Sequence, residues 1–401
     1  QTALDPDNRL TTYGYDAQDN LTAVTDARNG VTNYDYGAWV DGKLLAAVED
    51  ARQAAGARKK TRFTYDKAGR LKRVDDPNDL FRTYAYDGAG RLTGSVDALG
   101  RSFGFTYDLN DRLDKKDTPD GRFDFDFDPS GNLTRAAAPG PGGAVLTQTF
   151  DALDRPLVVV QTLPNGHQVS LTNVYDPNGN REQLQTPYGT FLFRYDELDR
   201  MDAVTPPGGH GSFALSYDAA GRRSRLQYPH PDVRADYVYD KAGLLLSVEH
   251  AKIAPAFTLL ARASYSYSPG GDRLTMSDLD GTHSYHYDEL HRLTEARHHP
   301  LAVLEHALET FDYDPAGNRT ADHAIGGYQY DAGNRLLENS AYTFQSDANG
   351  NVTRRTLKAD LSQAVLEYDA ENRLKKVTAP GGTWVSFTRA AQGRRVEKTV
   401  F

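Results

Sequence analysis

The 401-residue sequence contains no cysteine and only two methionines and two tryptophans. Without cysteine there is no disulfide framework and no thiolate metal site. No apolar run approaches the ~20 residues that a membrane-spanning helix needs, and no segment reads as a signal peptide. Positive charge is not in excess: 46 Lys and Arg stand against 55 Asp and Glu, for a net charge of -9. The electrostatic footprint of a nucleic-acid-binding surface is therefore missing. Aliphatic material is short as well. Hydrophobic residues make up 39% of the chain and the mean hydropathy is -0.64, which is too little to fill a deep core. Tyrosine and glycine are plentiful, at 24 and 35 residues. Tyrosine rings cover a sheet while keeping the hydroxyl end wet, so the composition points to a thin sheet with water on much of both faces.

The sequence repeats internally. Tyr-Asp pairs begin at Tyr15, Tyr65, Tyr86, Tyr107, Tyr175, Tyr195, Tyr217, Tyr239, Tyr287, Tyr313, Tyr330 and Tyr368, with degenerate copies at Tyr36, Phe127, Phe150, Tyr267, Ser346 and Thr388. The clearest copy runs from Tyr86 through Asp87, Gly90, Arg91 and Leu92 to a second turn, Asp97 to Arg101, and then to Tyr107. Each unit thus holds two short strands and two turns. Asp opens the first turn, where its carboxylate can accept backbone N–H groups further along. Four residues after the Tyr stand Gly69, Gly90, Asp111, Gly131, Asp154, Gly179, Asp199, Gly221, Gly243, His291, Gly317, Asn334 and Asn372. Most of these are residue types that tolerate a left-handed backbone, as a type I turn followed by one left-handed residue requires. The next column is Arg or Asn, from Arg70 and Arg91 to Arg335 and Arg373, followed mostly by Leu. Before the anchor, Tyr84 with Tyr86 and Phe105 with Tyr107 alternate as strand residues do. The Arg of one unit is expected to lie over the Tyr of its neighbour and to reach an Asp.

The fold expected from this is all-β: tandem hairpins forming one long, curved, spiralling antiparallel sheet, a hollow shell or a segment of a wide barrel. Roughly 38 strands at about 4.8 Å each give on the order of 180 Å of sheet. Bent into one turn, it would be roughly 55–60 Å across, too wide for side chains to fill. Residues 1–401 read as a single unit, cut mid-repeat at both ends and taken from a longer protein. Longer stretches at 37–64, 245–266 and 295–310 read as extended hairpins; His299 to Glu305 also fits a helical turn. Pro139 to Gly143 reads as a loop.

Chemistry was sought outside the repeat columns. Gly100-Arg101-Ser102-Phe103-Gly104 has the spacing of a nucleophile elbow, but a turn precedes it and a strand follows, the wrong context. Asp124, Asp126 and Asp128 share one strand face, too far apart for one strand to close a calcium shell. Histidines crowd at His283, His286, His291, His298, His299, His306 and His323 without helical zinc-site spacing; exposed turn positions are the expectation. No residue is assigned a catalytic, cofactor-binding or metal role, and no cofactor is expected.

The run Tyr-Asp-x-x-Gly-Arg-Leu, with Asp-x-x-Gly-Arg between copies, resembles the RHS/YD-repeat family, which includes bacterial polymorphic toxins, the C component of insecticidal Tc toxins, and teneurins. The resemblance covers almost the whole chain. It implies a structural shell of a secreted toxin that encloses a C-terminal toxin domain as cargo. Remaining shell segments or a delivery component would be partners, and the setting would be secreted or cell-surface. The family's self-cleavage motif is not found here, so the chain itself is not read as an enzyme. A teneurin-like adhesion module, with carbohydrate as a candidate ligand, is the alternative.

Overall fold

A computed structural model describes residues 1–37, 43–51, 60–140, 143–230, 232–299 and 307–401. Among these residues there is no helix, and 37 strands follow one another from β1 (Thr2–Leu4) to β37 (Arg395–Val400). The strands pair antiparallel with their sequence neighbours in two ladders, β1 to β29 (Arg319–Asp322) and β30 (Gln329–Tyr330) to β37. Between the ladders the pairing is interrupted, and a bond of 3.3 Å from Tyr328 N–H to the Thr320 carbonyl helps to span the gap. The sheet is therefore continuous in path but not in its hydrogen-bond ladder. The tip at 52–59 and the stretch 300–306, with its helix-or-hairpin alternative and His306, lie outside the described residues.

The repeat unit takes its shape from one bulge. Thr106 pairs with Lys115, but Tyr107 pairs with Leu113, leaving Asp114 as an extra residue. This bulge bends the strand and raises its twist. It recurs at every anchor read from the sequence except the last. There the register shifts between Thr388 and Arg389, so Arg389, not Thr388, holds the anchor position. Arg389 extends its guanidinium to the Leu374 carbonyl at 3.4 Å, as Tyr368 extends its hydroxyl to the Val352 carbonyl at 3.1 Å. A long cationic side chain has taken the tyrosine's place, which is why an aromatic-Asp pattern misplaces it. All thirteen members of the left-handed column have positive φ, from 57° at Asp199 to 100° at Gly131.

The strands form a coil that overlaps itself. The turn after β7 (Leu71–Asp75) meets the turn after β30: Asn78 donates to Asp331 at 3.0 Å and Arg335 to Asp76 at 2.8 Å. The turn after β9 (Leu92–Val96) meets the turn after β32 (Tyr342–Ser346) through Asn349 and Asp97 at 2.8 Å. The turn after β11 (Leu113–Thr118) meets the turn after β34 (Gln363–Tyr368), where the Ala370 N–H donates to Asp120 at 2.5 Å. The offset is 23 strands in each case. An odd offset is necessary, because successive turns of a meander alternate between its two rims. The lower rim of one coil must meet the upper rim of the next.

At about 4.8 Å per strand this makes a coil about 110 Å around and about 35 Å across at the backbone. The single turn of 55–60 Å expected from strand count is thus replaced by a tighter coil with overlap. Bulges at every unit supply the extra curvature. The wall is one sheet thick. Among the described residues no large side chain is fully buried, and the buried apolar residues are mostly alanines such as Ala136 and Ala235. The accessible surface is 22915 Å², against about 15,500 Å² for a compact protein of this mass. A chain with half as much surface again as a solid globule is a wall around space.

Candidate functional site

Each Tyr-Asp turn is a closed circuit of bonds. In the turn at Asp87, the carboxylate Oδ1 accepts the N–H groups of Ala89 and Arg91 at 3.0 and 2.9 Å. Its Oδ2 accepts Arg91 Nε at 2.7 Å. The guanidinium of Arg91 then lies 4.9 Å from the Tyr107 ring centroid, and the Tyr107 hydroxyl donates to the Leu92 carbonyl at 2.8 Å. Arg70 over Tyr86, Arg155 over Tyr175, Arg222 over Tyr239 and Arg292 over Tyr313 repeat the stack. The sequence-derived expectation holds: the Arg reaches the Asp of its own turn, and Arg91 also reaches Asp111 of the neighbouring turn. The Arg side-chain bond holds the carboxyls of Asp66, Asp87, Asp108 and Asp151 below the ordinary Asp range. These residues lock hairpin to hairpin.

The seam between coils is the second element of the wall. The upper-rim Tyr-Asp turns of the second coil sit on the lower-rim turns of the first. Arg9 meets Asp272 at 3.0 Å and Arg28 meets Asp288 at 3.1 Å. Lys116 pairs with Glu371. Asn349 donates to Asp97 and accepts the Ala98 N–H at 3.1 Å. The third residue of each seam turn is the knob: Gly270, Leu290, Gly333, Asn349, Glu371. Glycine stands where the rims come closest, against the ends of side chains from the other coil. A Cβ on Gly270 would stand 2.2 Å from Asp7 Oδ2, and one on Gly333 would stand 2.4 Å from Asn78 Nδ2. Leu290 instead lines a small seam cavity with Val31, Ala51 and Pro315.

The residues weighed for chemistry fall within the wall. Gly100 ends a turn at φ 77° and Ser102 begins a strand, as read. Asp128 anchors its turn through Asn132, and Asp126 faces Arg135 at 3.3 Å. The histidines do not all occupy exposed turns. His283 is 3% exposed within a strand. Its Nδ1 is 3.0 Å from His298 Nδ1 and its Nε2 is 3.2 Å from Asp278. His298 in turn faces Glu309 at 3.5 Å. His283 occupies the aromatic face of its strand together with Tyr285 and Tyr287, so burial follows from strand periodicity, a signal available in the sequence. Among the described residues one group, Asp7, Asp272 and His291, has the composition and spacing of metal ligands. The Arg9 guanidinium stands among them and supplies the positive charge. No short-range pattern joins residues 5–9 to 268–291, so sequence reading missed this cluster.

Family models match at residues 1–32, to the RHS repeat, and at residues 48–206, to the teneurin YD-shell. Double-stranded DNA deaminase toxin A of Burkholderia cenocepacia is 27% identical over 458 aligned residues, covering 98% of this chain and 29% of that protein. tRNA3(Ser)-specific nuclease WapA of Bacillus spizizenii is 29% identical over 171 residues, 39% of this chain and 7% of that protein. The crystal structure of TcdB2-TccC3 superposes with a TM-score of 0.67 at 16% identity, over 99% of this chain and 26% of that one. The chain therefore spans less than a third of the length of these relatives, and the structural likeness establishes a common fold.

Proposed function

Because this chain belongs to the RHS/YD-repeat family, we propose that it is an encapsulating wall segment of a secreted toxin, with residues 1–401 acting as one unit. The cargo is a C-terminal toxin domain supplied by the longer protein, and any catalysis resides there. On this reading the chain's own side chains bind no cofactor or metal. Remaining shell segments or a delivery component complete the enclosure, and the setting is secreted or cell-surface. The observation that carries the proposal is the one-sheet-thick wall that overlaps itself after 23 strands. One relative named as a deaminase toxin and another named as a tRNA-specific nuclease support the same role.

The experiment is limited proteolysis of the full-length protein, compared with its C-terminal domain expressed alone. Encapsulation requires the domain to resist digestion inside the full-length protein and to become susceptible when the seam is broken. Digestion at the same rate in both settings would defeat the proposal. The teneurin YD-shell match at 48–206 favours a second reading, an extracellular adhesion module recognising carbohydrate. Saturable glycan binding by the intact wall, with no protected cargo, would replace the first reading with this one.

A further inference from the structure

His291 stands between coils. It occupies the left-handed position of its turn at φ 60°. Its Nε2 lies 2.9 Å from Asp5 Oδ2, on the lower rim of the first coil. Its Nδ1 lies 2.9 Å from both carboxylate oxygens of Asp272, on the neighbouring turn of the second coil. A neutral imidazole carries one N–H and can donate to one carboxylate only; the imidazolium carries two. We propose that His291 is a proton-dependent clasp across the seam, holding Asp5 to Asp272 when protonated and releasing one of them when neutral.

The surrounding charges fit this role. The turn at 5–9 presents Asp5, Asp7 and Arg9, and the turn at 268–272 presents Asp272. Arg9 lies 3.0 Å from Asp272 and 3.8 Å from Asp7, and its other terminal nitrogen meets His291 Nδ1, which accepts from Arg9 when unprotonated and donates to Asp272 when protonated. Three carboxylates therefore face one guanidinium, and an imidazolium reduces the negative excess. On the turn that carries His291, Asp288 is paired with Arg292 at 2.6 Å and with Arg28 at 3.1 Å, and Glu289 lies 3.9 Å from Arg28. Those charges are already matched. The bond to Asp272, aided by Asp5, raises the His291 pKa above the ordinary His value, while slight burial and Arg9 oppose the rise. A raised folded-state pKa gives stabilisation that is complete below about pH 6.5 and is lost as pH climbs through the raised value. The clasp is independent of what the wall encloses.

The test is hydrogen exchange of the whole chain between about pH 5.5 and about pH 8.5, corrected for intrinsic rates, with His resonances titrated in parallel. Protection of residues 5–9 and 268–272 should fall several-fold as pH rises in the wild type. His291→Asn keeps a residue that tolerates the left-handed turn and should make that protection flat. The His291 resonance should titrate above the ordinary value and move back towards it in Asp272→Asn. Wild-type protection that ignores pH, an unchanged pH dependence in His291→Asn, or a His291 resonance titrating at or below the ordinary value would each overturn the proposal.

Discussion

The same turn occurs on two rims. On the first coil the Tyr-Asp turns at 87–91, 108–112, 151–155 and 196–200 face away from the seam, and on the second those at 268–272, 288–292, 331–335 and 369–373 are seated in it. The internal bonding is alike: Arg91 to Asp87 and Arg373 to Asp369 both measure 2.7 Å. What differs is the surroundings of the third residue. On the free rim that position holds Ala89, Asn110, Leu153 and Leu198, all exposed, the two leucines at 68% and 71%. In the seam that position holds Gly270, Leu290, Gly333, Asn349 and Glu371, each set against a turn of the other coil. The hairpin columns thus recur on both rims, and in the seam Asp331, Arg335 and His291 take a further partner from the other coil.

The largest effect should come from breaking that contrast. Gly333→Leu drives a branched side chain into Asn78, where a Cβ alone would already stand at 2.4 Å. Overpacking of this kind costs about 2–3 kcal/mol. The matched change Ala89→Leu, at an exposed free-rim position, should leave thermal melting unchanged. Equal losses in the two variants would show that the third residue does not distinguish the rims. The left-handed column should behave in the opposite way. Gly90, at φ 89°, and Gly350, at φ 91°, lie on different rims, and Val at either should cost about 1–2 kcal/mol through backbone strain. Denaturant titration of both variants checks this, and a loss confined to the seam position would refute it. Smaller still is Arg335→Gln, which removes the 2.8 Å bond to Asp76. Both groups are largely but not fully covered, so screening should limit the loss to about 1 kcal/mol. Arg91→Gln gives the free-rim comparison, read by the same titration.

These contrasts follow how the fold could be read. The hairpin was legible because its causes are local. Asp87, Gly90, Arg91 and Tyr107 lie within one unit, and each is dictated by a turn, a left-handed residue or a ring over its neighbour. The spiral was expected but its radius was not legible, because the radius depends on the bend accumulated at each bulge, and a small error per strand becomes a large error over 23. Arithmetic on strand number alone therefore gave too wide a ring. The seam was hidden for the same reason. Asp5 and His291 are 286 residues apart, and nothing in either turn names the other. Arg389 was misassigned because it fills a tyrosine's hydrogen-bonding role without being aromatic.

Acid should weaken the free-rim turns through many small contributions. The Arg beside each turn carboxylate, first by its side-chain bond, holds Asp66, Asp87, Asp108, Asp151 and Asp196 below the ordinary Asp value. A carboxylate whose folded pKa lies below its unfolded value binds more protons when unfolded. Its stabilising contribution is complete above about pH 4 and disappears as pH falls through the lowered folded value. Each pair is exposed and screened, so one turn contributes little, but the motif recurs along the whole wall. Thermal melting should therefore hold steady from about pH 7 to about pH 5 and fall progressively below about pH 4. Arg91→Gln removes one guanidinium and should reduce that acid sensitivity slightly without moving its onset. The His291 clasp has the opposite sign and is strengthened by acid, so hydrogen exchange near pH 5 should find the 5–9 turn firmly held while the free rim has yet to respond. If the free-rim turns lose protection at the pH where the clasp is tightest, the Asp–Arg bond is not what holds them.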